Sequence, residues 1–262
     1  MEHICRILKD GSSLVYAWFE AMHTRIDIML WDRDRSEAEL VSAVETVERE
    51  TMRIERMASR FLAGSELSAI NSAEVGVDVP VSDELRFLLM RCAAYCYETD
   101  GLFDVTAGSG LVGVPFNEKV RFVHAQDDGM CGAVARLDER VRLDLSGVLK
   151  GYAVDRVVAY LQDESVKNGL VNFGNSSIAA FGNHPSGEGW PVAAVDGKEY
   201  VLRDECLTTS GNHNEERKHI INPLMGEYVT GKGMVSVVTD HAEYGEVLST
   251  VAFLKSCLSG TR

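Results

Sequence analysis

Apolar and polar residues alternate along residues 14–31, LVYAWFEAMHTRIDIMLW, where Ile26, Ile28 and Leu30 are set against Arg25, Asp27 and Met29. A period of two predicts a pair of strands, with the bend near Met22-His23-Thr24. Over residues 36–57 the period lengthens to that of a helix. Leu40, Val44, Val47, Met52 and Ile54 form its apolar stripe, and Ser36 with Glu39 reads as a capping box, so this helix is expected to pack on a sheet. Residues 60–67, RFLAGSEL, break the pattern, and Ser65, Ser68 and Asn71 predict a polar turn and a short helix in a loop placed to carry function. Ser82 then caps a second amphipathic helix to about Glu98, with Leu85, Leu88, Leu89, Cys92 and Ala93 facing inward.

The most organised stretch is residues 143–174, LDLSGVLKGYAVDRVVAYLQDESVKNGLVNFG. Leu143 and Leu145 alternate with Asp144 and Ser146, a helical stripe follows at Val154, Val157, Val158 and Leu161, and a second apolar run covers residues 170–173. This predicts strand, glycine-flanked turn, helix and strand. Gly147 and Gly151 bracket Lys150, placing a cation beside the free N–H groups of a first helical turn, an arrangement suited to phosphate. The same pattern also fits an ordinary βαβ unit whose Lys150 is merely solvated.

Elsewhere the signals are shorter. In GLFDVTAGSGLVG, Asp104 stands between apolar residues ahead of Gly108, Gly110 and Gly113. Its carboxylate is suited to hydrogen-bonding a flat heteroaromatic ring, and the segment is equally a helix stop with a turn. Residues 119–123 and 133–137 predict a hairpin. A meander follows Phe173 through residues 199–202 and 206–209, and Ser210-Gly211-Asn212 is read as opening a polar loop to His219. His219-Ile220-Ile221-Asn222-Pro223 precedes a Gly226 turn, residues 233–238 predict a strand, and residues 241–258 a helix burying Val247, Val251 and Leu254. Glu246 and Thr250 share another face of that helix at i, i+4, two oxygen donors of the kind a hard cation takes.

With 262 residues, 45% hydrophobic and 25% charged, the chain is expected to form one domain with a proper core, or two intimately packed subdomains. A net charge of −14 with no basic run sets aside nucleic acid and anionic membranes as partners. Neither a signal-peptide core nor a span-length apolar run appears, so the chain as given is expected to be cytoplasmic. Its six cysteines, Cys5, Cys92, Cys96, Cys131, Cys206 and Cys257, read as reduced, mostly buried thiols. Cys92 and Cys96 lie one turn apart, but no second pair has zinc-site spacing.

Taken in order, these pieces resemble the FAD:protein FMN transferases, the flavin-transferring enzymes long described as thiamine-biosynthesis lipoproteins. Met22-His23-Thr24 is similar to the family's Met-Gly-Thr, and Phe61 before Ser65-Glu66-Leu67 to its aromatic residue before Ser-Glu-Ile. Residues 101–106, GLFDVT, resemble the Gly-Ala-Phe-Asp-Pro-Thr flavin loop, and LDLSGVLKGYAVD is close to the family signature throughout. Thr209-Ser210-Gly211, residues 219–223 and Glu246 with Leu248-Ser249-Thr250 complete a series running from residue 22 to about 254.

The resemblance implies an α+β fold, with mixed, largely antiparallel sheets and packed helices. It implies that Met22, Phe61, Leu102, Phe103, Asp104, Lys150, Ser210 and Ile221 bind FAD. The main-chain oxygen of Leu149 and the side chains of Glu246 and Thr250 would hold Mg²⁺, and His219 and Lys150 would serve the chemistry. The implied reaction moves FMN from FAD to a Ser or Thr hydroxyl of an acceptor protein bearing a flavinylation motif, and releases AMP. A non-catalytic FAD-binding homologue and a metal-dependent pyrophosphatase giving FMN and AMP are the alternatives. Several positions depart from the family. Glu246 stands for the usual Asp, His23 for Gly, Asn222 for a frequent Asp and Met225 for the Thr of a Thr-Gly turn; residues 113–143 are short, the chain as given stops soon after the last helix, and it is expected to lack the lipoprotein leader.

Overall fold

The computed structural model describes residues 1–124, 132–195, 197–214 and 219–259. In chain order these form β1 (Glu2–Ile7), β2 (Ser13–Ala21), β3 (Thr24–Asp32), α1 (Glu37–Ala58), α2 (Glu66–Ser72), β4 (Val79–Pro80), α3 (Asp83–Glu98), α4 (Phe116–Lys119), β5 (Val120–Val123) and β6 (Ala133–Arg136). The second half supplies α5 (Leu149–Asp163), β7 (Asn168–Phe173), β8 (Ser177–Phe181), β9 (Trp190–Ala193), β10 (Glu199–Leu202), β11 (Glu205–Asn212), β12 (Ile221–Asn222), β13 (Glu227–Tyr228), β14 (Gly233–Thr239) and α6 (Ala242–Ser259). This is the α+β architecture expected from the sequence. None of the described helices is long and apolar enough to cross a membrane.

Contacts divide the chain into two units. The first comprises Met1–Ile54, Val148–Ser210 and Met234–Thr250. Its frame is a seven-stranded sheet in the order β1-β2-β3-β7-β8-β11-β14, antiparallel at each step from β1 to β11. Alternation places Val15, Ala17, Ile26, Ile28, Leu30, Val171 and Phe173 in the core, and α5 lies against β7 and β8 with Val154, Val157 and Leu161 buried. The β9–β10 hairpin sets Trp190, Val192 and Leu202 against Leu170, Ile178 and Leu207, with Met29 and Trp31 half-buried beside them. At the sheet edge, β1 is different: Cys5 is half-buried and its other five residues are exposed.

The second unit comprises Glu55–Gly147, Gly211–Gly233 and Val251–Arg262. It holds a three-stranded antiparallel sheet, β4-β6-β5, the helices α2, α3 and α4, and the β12–β13 hairpin. Ser65 caps α2 and Ser82 caps α3, each accepting from the amide three residues on. Buried Arg136 donates to the carbonyls of Ile70 at 2.9 Å, Val141 at 2.9 Å and Ala73, so one guanidinium satisfies backbone from two segments.

Four readings of the sequence need correction. Residues 143–145 are not a strand. The side chain of Asn71 accepts from the Leu143 amide and donates to its carbonyl, both at 2.8 Å, and the Asp144 amide donates to Val105 at 2.8 Å. A side chain thus does the work of a neighbouring strand, and the alternation marks a half-buried extended segment. No parallel βαβ unit forms, because β7 is antiparallel to both β3 and β8. β11 runs on through Asn212 before the loop begins, and residues 215–218 of that loop lie outside the described residues. Among the described cysteines only Cys92 and Cys206 are buried, Cys5, Cys96 and Cys257 being half-buried, and Cys131 lies outside the described residues.

Candidate active site

Six of the expected site residues belong to the first unit: Met22, Leu149, Lys150, Ser210, Glu246 and Thr250. Strand register sets the end of the sheet at which Met22 and Ser210 lie, and Leu149 and Lys150 come from α5 and Glu246 and Thr250 from α6. Ala21 faces Thr24, Ile26 faces Phe173, Phe173 faces Ser177, and Ser177 faces Thr208, so the β2–β3 bend, the β7–β8 turn and the middle of β11 lie at one end of the sheet. Met22 and His23 form the two-residue bend with φ of 52° and 57°, left-handed at both positions as a primed hairpin turn requires. Gly174, at φ 63°, passes so close to Thr24 that an added Cβ would lie 3.1 Å from the Thr24 Cβ.

Lys150 sits in the first turn of α5, not in a loop ahead of it, and its ammonium donates to the Ser176 hydroxyl in the β7–β8 turn. The next residue, Ser177, donates from its hydroxyl to Glu246 Oε1. Glu246 is only 4% exposed. Burial pushes its carboxyl above the usual range, while the Lys150 charge and the Ser177 hydrogen bond pull it back. One turn on, the Thr250 hydroxyl is 3.0 Å from the Ser210 hydroxyl, which is also 2.8 Å from that of Ser249.

This donor set suits a hard divalent cation. It offers one buried carboxylate and neutral oxygens from Thr250 and Ser210, with no sulfur or imidazole. The Leu149 carbonyl opens α5, and helical pairing takes one of its two lone pairs, leaving the other. Among the described residues no three His, Cys, Asp or Glu side chains gather as a conventional metal cluster. A site here therefore depends on hydroxyl and carbonyl oxygens around Glu246.

Phe61, Leu102, Phe103, Asp104, His219 and Ile221 belong to the second unit. Asp104 is tied into the protein: its Oδ1 accepts from the Thr106 amide at 2.7 Å and hydroxyl at 2.6 Å, and its Oδ2 from the Lys119 ammonium at 2.6 Å. The two side chains are 7% and 4% exposed, a buried ion pair. Leu102 and Phe103 are core residues, with the Phe103 ring edge-on to Tyr95 at 6.4 Å. Phe61 is 57% exposed, and the Arg60 guanidinium lies 4.5 Å over its ring. The half-buried Ile221 approaches Gly108, and His219 is exposed. Of the expected flavin residues in this unit, Phe61 and Ile221 present surface, whereas Leu102, Phe103 and Asp104 shape the loop from within.

Sequence reasoning missed several participants. Ser176 and Ser177 drew no reading of their own within the meander. Lys119 read as the start of a strand. Gly151 read as a turn glycine beside Lys150 and Asp155 only as a letter of the signature, and both hold α6. A Cβ at Gly151 would lie 2.6 Å from the Ala242 carbonyl carbon, and the Asp155 carboxylate accepts from the amides of Ala242 at 2.7 Å and Glu243 at 2.9 Å.

The FAD:protein FMN transferase of Chlamydia trachomatis is 27% identical over 214 residues, covering 71% of this chain and 67% of the relative. That of Chlamydia pneumoniae is 25% identical over 244 residues, covering 82% and 77%. The crystal structure of the Thermotoga maritima ApbE protein superposes with a TM-score of 0.77 at 22% identity, covering 93% of this chain and 87% of that one. The apo Pseudomonas stutzeri flavinyl transferase ApbE gives 0.75 at 20%, covering 92% and 83%, and both share the fold. The model of the ApbE family matches residues 22–260, and the chain therefore belongs to the ApbE family.

Proposed function

We propose that this protein transfers FMN from FAD to a Ser or Thr hydroxyl of an acceptor protein and releases AMP. The observation that carries the proposal is the cluster at one end of the first unit's sheet, where Lys150, Ser176, Ser177, Ser210, Glu246 and Thr250 join a cation to a set of hard oxygens. The names of the family's curated relatives supply the substrate class.

In the reaction, the bond from the FMN phosphorus to the bridging oxygen breaks, a bond to the acceptor oxygen forms, AMP departs, and the acceptor proton is removed. Lys150 is the residue suited to the diphosphate: held by Ser176, its ammonium donates to a non-bridging oxygen and offsets charge as the leaving group separates. Exposed His219 has the intrinsic basicity to take the hydroxyl proton. Glu246, Thr250 and the Leu149 carbonyl would hold Mg²⁺, which when bound neutralises diphosphate charge. Phe61 offers an exposed ring against which isoalloxazine can stack.

The test is incubation with FAD, Mg²⁺ and an acceptor bearing a flavinylation motif. Flavin fluorescence that stays with the denatured acceptor, together with equimolar AMP, is the expected result. If no AMP forms with any divalent metal, the proposal is wrong. AMP and free FMN with an unlabelled acceptor would instead assign a pyrophosphatase.

A further inference from the structure

The two side chains proposed for the metal, Glu246 and Thr250, lie on α6, and the structure shows what fixes that helix. Two consecutive amides at its start, Ala242 and Glu243, donate to the two oxygens of one carboxylate, Asp155, at 2.7 and 2.9 Å. Asp155 comes from α5, 87 residues away in sequence for Ala242. A helix N-terminus is normally capped by the side chain of the residue just before it; here that residue is His241, whose carbonyl accepts from the Gly245 amide at 3.0 Å and the Thr239 hydroxyl at 2.9 Å, while the first two helix amides go to Asp155. Beside the clamp, one turn earlier on α5, Gly151 lets the helices touch, since any Cβ there would collide with the Ala242–Glu243 backbone.

We infer that Asp155, seated against Gly151, is a positioning residue that sets α6 in register with α5 and so brings the oxygens of Glu246 and Thr250 to the end of α5 that carries Leu149 and Lys150. A bidentate clamp on successive amides fixes the direction of the helix as well as its height. At 1.5 Å per residue, Glu246 lies about 6 Å and Thr250 about 12 Å along α6 from Ala242, so a tilt of about 10° at the clamp displaces them by about 1 and 2 Å. Divalent cations of the Mg²⁺ class hold their oxygens near 2.1 Å and tolerate little displacement, and loss of a supporting residue typically weakens metal binding about 10–100-fold. The inference rests on the reading of Glu246 and Thr250 as metal ligands.

The experiment separates register from capping. Mn²⁺ is titrated into the protein mixed with FAD, free Mn²⁺ is read by electron paramagnetic resonance at 10 °C, and Tm is measured for the same samples. Asp155→Asn keeps the shape but turns an N–H₂ toward one helix amide; it should lower Tm and weaken Mn²⁺ binding about 10–100-fold. Adding His241→Asp supplies a local cap, and this double variant should regain Tm without regaining Mn²⁺ affinity. Gly151→Ala leaves the carboxylate and both amides in place but wedges the helices apart, and it too should lose Mn²⁺ affinity. Unchanged affinity in Asp155→Asn, or its full return in the double variant, overturns the inference while leaving the proposed function intact. If the unaltered protein binds no Mn²⁺, the metal reading falls and this inference with it.

Discussion

Replacing Lys119 with Met removes one charge of a pair that is almost wholly withdrawn from water, the ammonium being 4% and the carboxylate 7% exposed. Asp104 then keeps its two hydrogen bonds from Thr106 but has lost its counter-charge. Removing one partner of a buried ion pair costs about 3–5 kcal/mol. At about 2–4 °C per kcal/mol for a chain of this length, Tm falls by roughly 6–20 °C. Asp104→Asn should destabilise comparably, because its amide would point an N–H at the ammonium. The double variant Lys119→Met, Asp104→Asn carries neither charge and keeps the acceptor for Thr106, so it should be no less stable than either single variant, which requires a coupling of at least about 3 kcal/mol. Urea denaturation of the four proteins, followed by circular dichroism, yields that number. Additive single effects, with coupling below about 0.5 kcal/mol, would mean that the pair behaves as a solvated surface bridge and that the buried-pair argument is wrong.

The bend at His23, with φ of 57°, should accept glycine gladly: His23→Gly relieves about 1 kcal/mol of left-handed strain and should raise Tm by roughly 2–4 °C. Burial, with the Asp155 charge next, pushes the Cys206 thiol up to about 12, so the folded protein holds this proton more tightly than the unfolded chain does. Stability should therefore fall between pH 9 and about 12, by up to about 1.4 kcal/mol per unit from this group, and Cys206→Ala should flatten that limb in pH-dependent melts. For the half-buried Cys96, where burial again leads, the thiol rises to about 11, and labelling by Ellman's reagent at pH 8 should leave both thiols untouched until denaturant is added. Lys150→Ala and Thr250→Ala should weaken FAD or metal binding by calorimetry without lowering Tm by more than about 3 °C; unchanged binding in both would remove them from the site.

Local order was well written in the sequence. Ser36 and Glu39 do close a capping box on α1, with Glu39 accepting from the Ser36 amide at 2.8 Å, because both partners lie within one turn. The β2–β3 bend fell where the alternation changed phase, and Ser82 capped α3. What escaped were bonds made by side chains far apart along the chain. Asn71 standing in for a strand beside Leu143, Lys119 reaching Asp104, and Asp155 reaching Ala242 leave no periodic trace, since each needs one residue and the fold to deliver its partner. The same holds for the site: Glu246 and Thr250 were legible as one helix face, whereas Ser176 and Ser177 acquire meaning only through strand register.

The edge strand β1 precedes the region matched by the family model and is joined to β2 along its whole length by six paired residues. Its side chains add almost nothing to the interior, so the ladder of amides and carbonyls holds it in place, a bond type indifferent to residue identity. Such a strip can mutate freely, apart from proline, and can peel away while the remaining sheet keeps its core. Amide exchange should accordingly proceed from this border inward, with β1 losing its protons well before β3 or β7.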